Sequence, residues 1–257
     1  MNGPGSAMAD AATAGGPPPG RQEPPCPRLP TIYTARSDVD AVHLARVEDW
    51  YARRHAPDLI RAGFYTAQVY HSEIGSPRIC NLYEIPGPEL FLTQTYRDVA
   101  AKDTEGPAVI ALLTSRSNTI YDQVLTVNVP AVDVDWAAGG RGGGVVAPAL
   151  STIRFGLPEA DDGALLEWYR SREFPRLQGQ QGFRAGRLGR QGPPHPLAPS
   201  RDPRWFVINE WDGVMAAMAD GTTKEALARH EAAFQGRLSR FVYNVGRRHF
   251  QLARTAG

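Results

Sequence analysis

Glu48-Asp49-Trp50-Tyr51-Ala52-Arg53-Arg54-His55-Ala56-Pro57-Asp58-Leu59 has a second version further along the chain, Leu166-Glu167-Trp168-Tyr169-Arg170-Ser171-Arg172-Glu173-Phe174-Pro175-Arg176-Leu177. Trp, Tyr, Arg, Pro and Leu recur at one constant offset, from Trp50 and Trp168 to Leu59 and Leu177. A Gly-Phe pair opens the next segment in both versions, Gly63-Phe64 and Gly182-Phe183. Internal repetition decides architecture before any local signal does. The copies part at one chemically telling place: His55 in the first is Glu173 in the second.

The surroundings of each copy have the same order. Before the first, Thr31 to Arg36 is β-branched or aromatic and predicts a strand. Asp38 or Asp40 can start a helix to about Ala62, whose apolar residues Val42, Leu44, Val47, Trp50, Tyr51, Leu59 and Ile60 recur at helical spacing. Pro57 predicts a kink or a break in that helix. Strands over 64–72 and 78–85 follow, joined by Gly75-Ser76-Pro77. A helical region over 88–114, interrupted near Gly106-Pro107, and a long strand over 118–129 complete the first unit. The second unit predicts a strand over 150–155, a helix over 161–177, strands over 183–190 and 205–211, a helix over 224–238 and a strand over 241–252. Its polar, proline-rich stretch at 193–203 is an insertion, because Glu84 and Glu210 are further apart than Trp50 and Trp168.

Both units therefore read β-α-β-β-α-β, the split βαβ or ferredoxin-like order. One such unit leaves a sheet face bare. Two in one chain can lay those faces together and close a pseudo-dimeric α+β barrel. The expected organisation is a Pro/Gly-rich disordered tail at 1–30, a first repeat at 31–129, a Gly-rich linker at 130–147 and a second repeat at 148–257. The glycines of that linker lack the following helix that a phosphate-binding loop needs.

Composition limits the function classes. The 257 residues carry 28 basic and 27 acidic side chains, a net charge of +1, which gives no electrostatic reason for nucleic acid or an anionic membrane as partner. No stretch approaches the roughly 18 apolar residues of a membrane helix, and the N-terminus lacks the pattern of a secretory signal. Cys26 and Cys80 have no metal-type or redox-type spacing and read as free thiols. A cytoplasmic protein, monomeric or a homodimer of pseudo-dimers, is the expectation.

Trp50-Tyr51 followed by His55-Ala56-Pro57, then Gly63-Phe64 and two strands, resembles the dimeric α+β barrel superfamily, and within it the EthD-like proteins, whose signature is an aromatic pair followed by His-x-Pro. The resemblance covers 31–129 and extends to 150–252 through Trp168-Tyr169 and Pro175, without the histidine. It implies a small hydrophobic or aromatic substrate, a polyketide-derived one among the options, and one pocket per half. It also implies chemistry without a cofactor: lyase or cyclase steps such as decarboxylation, dehydration or aldol closure, with cofactor-independent monooxygenation of a phenol and non-catalytic binding as alternatives. Fold alone does not choose among these.

The side chains that could act are few. His55 is suited to move protons near neutral pH, and Tyr51 lies one turn earlier on the same helical face. These two are the expected catalytic pair, beside Trp50. On the second strand, Gln68 and Tyr70 alternate into a polar face; Arg187 is the matching residue of the second half and could bind a carboxylate. Glu84 and Glu210 occupy matching third-strand positions and could orient a ligand or point to solvent. Tyr169 and Glu173 complete the expected substrate-binding set. His195 reads as solvated in the insertion and His230 as lying on an exposed helix. No histidines and carboxylates show compact metal spacing, so no metal ligand is expected from local sequence.

Overall fold

The computed structural model describes residues 29–129, 144–196, 198 and 200–254. The tail before Leu29, with Cys26, and the glycine-rich stretch 130–143 lie outside the described residues.

The chain begins with strand β1 (Thr31–Val39) and helix α1 (Ala41–Trp50), a π-turn (Tyr51–His55) and helix α2 (Ala56–Arg61). Strands β2 (Thr66–Ile74) and β3 (Ile79–Ile85) follow, then helices α3 (Gln94–Lys102) and α4 (Gly106–Ile110) and strand β4 (Leu113–Val127). After the connection come β5 (Ala149–Gly156), α5 (Asp162–Trp168), a second π-turn (Tyr169–Glu173) and α6 (Phe174–Gln178). Strands β6 (Phe183–Gln191) and β7 (Trp205–Trp211), helices α7 (Val214–Ala219) and α8 (Thr223–Phe234) and strand β8 (Ser239–Ala253) complete it.

The interrupted helix takes a definite form. Pro57 has no N–H, and its ring crowds the carbonyl four residues back. The turn before it widens instead of breaking, so that the Ala56 N–H donates to the Tyr51 carbonyl five residues earlier. Phe174 and Tyr169 repeat this geometry ahead of Pro175. Such single π-turns gather at functional sites. Gly63 and Gly182 sit at φ +110° and +82°, the left-handed region that glycine favours, which accounts for the repeated Gly-Phe. α7 is a short helix that the sequence pattern does not announce, and β4 starts five residues earlier than expected.

The eight strands close into an antiparallel barrel in the order β1-β3-β2-β8-β5-β7-β6-β4. Within each half the neighbours run 4-1-3-2 and 8-5-7-6, and the halves join through β2 with β8 and β4 with β6. Alternation along the strands separates three cores. One lies between the first half's strands and helices, around Tyr51, Phe64, Tyr83 and Phe91. A second lies against the other half's helices, around Phe155, Tyr169, Phe174 and Trp211. The third fills the barrel with Ile32, Tyr70, Leu82, Tyr121, Leu150 and Phe206. No helix among the described residues is long and apolar enough to cross a membrane.

Candidate functional site

The π-turn carries His55 to the rim of a cavity of about 260 Å³ between the sheet and helices of the first half. β1 supplies Tyr33 and Ala35, β3 supplies Asn81 and Tyr83, and β4 supplies Arg116 and Asn118; Trp50, Leu59 and Tyr96 close the helical side. The wall also includes His195 and Ala198 from the insertion of the second half. Its size is near the low end of ligand pockets, about 300–1,000 Å³, and suits a molecule of a few rings.

The walls are aromatic and ordered. His55 stacks on Trp50 with centroids 4.5 Å apart, and the Trp50 indole N–H donates to Asp103 at 3.1 Å. Tyr33 stacks between Tyr83 (5.1 Å) and His195 (5.2 Å), and its hydroxyl donates to Asn118 at 2.7 Å. Asn81 Oδ1 is buried without a hydrogen bond to a described residue, and no described carboxylate pairs with Arg116. No Asp or Glu is among the described residues that line the cavity.

Burial sets the protonation states. Desolvation lowers the pKa of His55 to about 4, against the weaker opposite pull of Asp103. His195 is likewise lowered to about 4 by burial. Both imidazoles are neutral at neutral pH and can accept a proton. Burial raises the phenols of Tyr33, Tyr51 and Tyr83, so these are donors and not bases. Tyr51 is buried beside Tyr83 and Phe250 and does not line this cavity; it faces a much smaller one.

His195 corrects its sequence reading: it is 7% exposed, held between Tyr33 and Phe91, not solvated. Asp202, seven residues on, explains how. Its carboxylate accepts from Arg36 Nε at 3.2 Å and from the Thr119 hydroxyl at 3.0 Å, and Arg154 lies at 3.8 Å. The insertion is thus pinned into the end of the barrel. No sequence spacing signals this, because the partners lie on other strands.

Gln68, Tyr70, Glu84, Arg187 and Glu210 meet in a different place, the barrel interior. There they hold residues 144–147 of the chain itself. Gln68 donates to the Val145 carbonyl at 2.6 Å and Tyr70 to the Ala147 carbonyl at 2.9 Å. Glu84 accepts from the Val145 N–H at 2.9 Å and from the Thr66 hydroxyl at 2.7 Å. Glu210 accepts from the N–H groups of Val146 (3.0 Å) and Ala147 (3.2 Å) and from Arg187 (3.1 Å), whose other nitrogen reaches Gly144 at 3.0 Å. Neither carboxylate points to solvent. Burial pushes Glu84 up to about 7, with Arg187 and these donors opposing.

In the second half Glu173, the counterpart of His55, is an ion-pair centre. Arg176 lies at 2.7 Å and Arg229 at 3.6 Å; burial pushes the carboxyl up, but the arginines outweigh it and hold the pKa below the usual range. The Tyr169 hydroxyl sits 2.8 Å from His230 Nε2. His230 is fully buried, which corrects its reading as exposed; burial lowers its pKa to about 4. A broader cleft of about 560 Å³ around Arg53, Arg54 and Arg61 is an ion-pair surface, with Asp49, Asp58 and Glu105 as counter-charges.

No family model and no curated protein matches the sequence. Solved structures do resemble the fold. An anthrone oxidase-like protein is 13% identical with a TM-score of 0.58, over 88% of this chain and 95% of that one. Two putative monooxygenases follow: one from Fusobacterium nucleatum subsp. nucleatum (7% identical, TM-score 0.55, over 90% and 97%) and one from Lactobacillus acidophilus (10%, 0.51, over 89% and 98%). These likenesses show the fold alone, an α+β protein with a closed antiparallel barrel of eight strands, similar to that of an anthrone oxidase-like protein and of putative monooxygenases.

Proposed function

We propose that the chain is a cofactor-independent enzyme that removes a proton from a small aromatic substrate in the His55 cavity. The observation that carries this reading is the company His55 keeps. A neutral imidazole and the exposed Arg116, which no described carboxylate pairs, line one aromatic cavity, and no Asp or Glu is among its described lining residues. A phenol or an activated C–H placed there gives its proton to His55. The anion left behind lies near the guanidinium, and its charge in turn raises the pKa of the imidazolium that formed. Asn81 offers a carbonyl oxygen to orient a substrate hydroxyl, and Trp50 holds the plane of the His55 ring.

Two continuations share that step. In the first the carbanion reduces O₂: one oxygen atom becomes the product carbonyl and the other leaves as water. The names of the similar structures, anthrone oxidase-like and monooxygenase, support this one. In the second the anion decarboxylates, dehydrates or closes a ring, a lyase or cyclase outcome. The scaffold in this reading is an EthD-like pseudo-dimer of two ferredoxin-like repeats, 31–129 and 148–257, joined through 130–147. The matched strand orders and the paired π-turns support it.

The test is turnover of hydroxylated tricyclic ketones followed by oxygen electrode and product analysis, for wild type and His55→Ala. Oxygen uptake in step with product, lost in the variant, is the expected result. Equal turnover without oxygen selects the lyase or cyclase continuation. Full turnover by His55→Ala overturns the proposal, and ligand-induced thermal stabilisation without any conversion leaves a binding module instead.

A further inference from the structure

Glu48, His71 and His249 are separated by 23 and 178 residues, yet their ligand atoms all lie within 4.8 Å of one another. Glu48 comes from α1, His71 from β2 and His249 from β8, so the cluster spans the seam where the two halves join. An irregularity in that seam brings the imidazoles together. Val69 pairs with Phe250 and Tyr70 with Arg248, which leaves His249 as the extra residue of a β-bulge. Bulges re-aim side chains, and here the His249 ring stacks on His71 with centroids 4.5 Å apart and planes 11° from parallel.

The two separations from Glu48 approach a cation's needs. Glu48 Oε1 lies 3.4 Å from His71 Nε2 and 3.7 Å from His249 Nε2. A tetrahedral Zn²⁺ with bonds of about 2.0–2.1 Å holds its ligands about 3.3 Å apart. His71 Nε2 is buried and makes no hydrogen bond to a described residue, so no protein partner among them competes with an ion for it. Beside the three ligands, and lined also by Trp50 and Tyr51, is a space of about 30 Å³. That is room for one water, which needs at least about 10–15 Å³.

We propose that Glu48, His71 and His249 bind one divalent first-row transition cation of the zinc type, with a water as fourth ligand in that space. Two imidazoles and one carboxylate suit such ions, and three protein ligands leave a position open. Magnesium and calcium prefer oxygen-rich sites. The site lies at different residues from the His55 chemistry and does not depend on it.

Untagged full-length protein, stripped with a chelator and dialysed, is titrated with Zn²⁺ by calorimetry. The expected result is saturable binding of one ion per chain. His71→Ala and His249→Ala each weaken it at least tenfold, and the double variant abolishes it. Glu48→Gln, which keeps shape and removes charge, weakens it about tenfold or more; His43→Ala on the same helix does not. Co²⁺ in place of Zn²⁺ gives the intense visible bands of a four-coordinate site. If wild type takes up no stoichiometric Zn²⁺, the proposal is overturned. It is equally overturned if the double variant, or Glu48→Gln should the histidine variants misfold, binds as wild type does.

Discussion

His55 is defined by what surrounds it more than by its type. With its pKa at about 4, the free protein carries it neutral across the physiological range. kcat/KM should therefore be level from neutral pH to about 5 and fall as pH drops through about 4, because a protonated His55 cannot accept. A pH profile at low substrate concentration reads this directly. Arg116 should act on the charge that forms: Arg116→Gln is expected to weaken an anionic ligand by about 10- to 100-fold, the worth of a charge-assisted hydrogen bond, and a neutral isostere much less. The two effects separate in parallel KM and inhibition measurements. Burial has a cost in acid as well. His55, His195 and His230 are all lowered from 6.5 to about 4 in the folded state. The unfolded chain binds those protons first, so stability is complete above about pH 6.5 and drains as pH falls toward 4, by up to about 1.4 kcal/mol per pH unit for fully buried His230 and by less for His55 and His195, which solvent screens in part. Urea midpoints between pH 7 and 4 should show that fall; a flat series would contradict the buried neutral assignment. His55 was legible because a repeat exposed it as the odd member of a pair. Arg116 and Asn81 were not, since nothing in their local spacing distinguishes a pocket wall from an ordinary strand.

At the scale of elements, the π-turn and the insertion each contribute to the wall of the cavity. The turn follows from Pro57 and was half-readable: the proline announces an interruption, while the widened turn that it takes depends on the helix continuing beyond it into the packed α2. The insertion was readable only as extra length. Its role depends on Asp202, whose buried carboxylate neutralises Arg36 and Arg154 on strands of opposite halves. Asp202→Asn leaves both guanidinium groups without that charge and should cost about 3–5 kcal/mol. It should also loosen His195 from Tyr33 and weaken ligand binding; thermal melts and ligand titration on the same variant check both. A variant with unchanged melting temperature would show that the insertion is held by other contacts.

For the whole molecule, the alternation of the strands carried the architecture, and the faces of β2 and β3 sorted as the period of two requires. What the pattern could not disclose is what fills the barrel. Gln68, Tyr70, Glu84, Arg187 and Glu210 look like ligand-binding residues because they are polar, matched and inward. They are indeed binding a polypeptide, the chain's own. Glu210→Gln removes the counter-charge of buried Arg187 and weakens the hold on Val146 and Ala147. A loss of about 3–5 kcal/mol is expected, read as a shift in denaturant midpoint. Because β2–β8 and β4–β6 pairs cross between the halves, fluorescence and circular dichroism should report one shared unfolding transition.

The capture of Val145 to Ala147 has a consequence for how such a molecule changes over time. A connection between two sets of four strands is ordinarily the cheapest place to insert, trim or cut. Here its last residues are the stopper of the vessel, seated on Glu84 and Glu210. Cutting just ahead of Val145 would leave the stopper in place, attached to the second half. Cutting after Ala147 would detach it from that half, and the two carboxylates would keep its N–H groups only while it stayed seated. Two severed versions of one chain, differing by three residues, should therefore reassemble with very different tenacity.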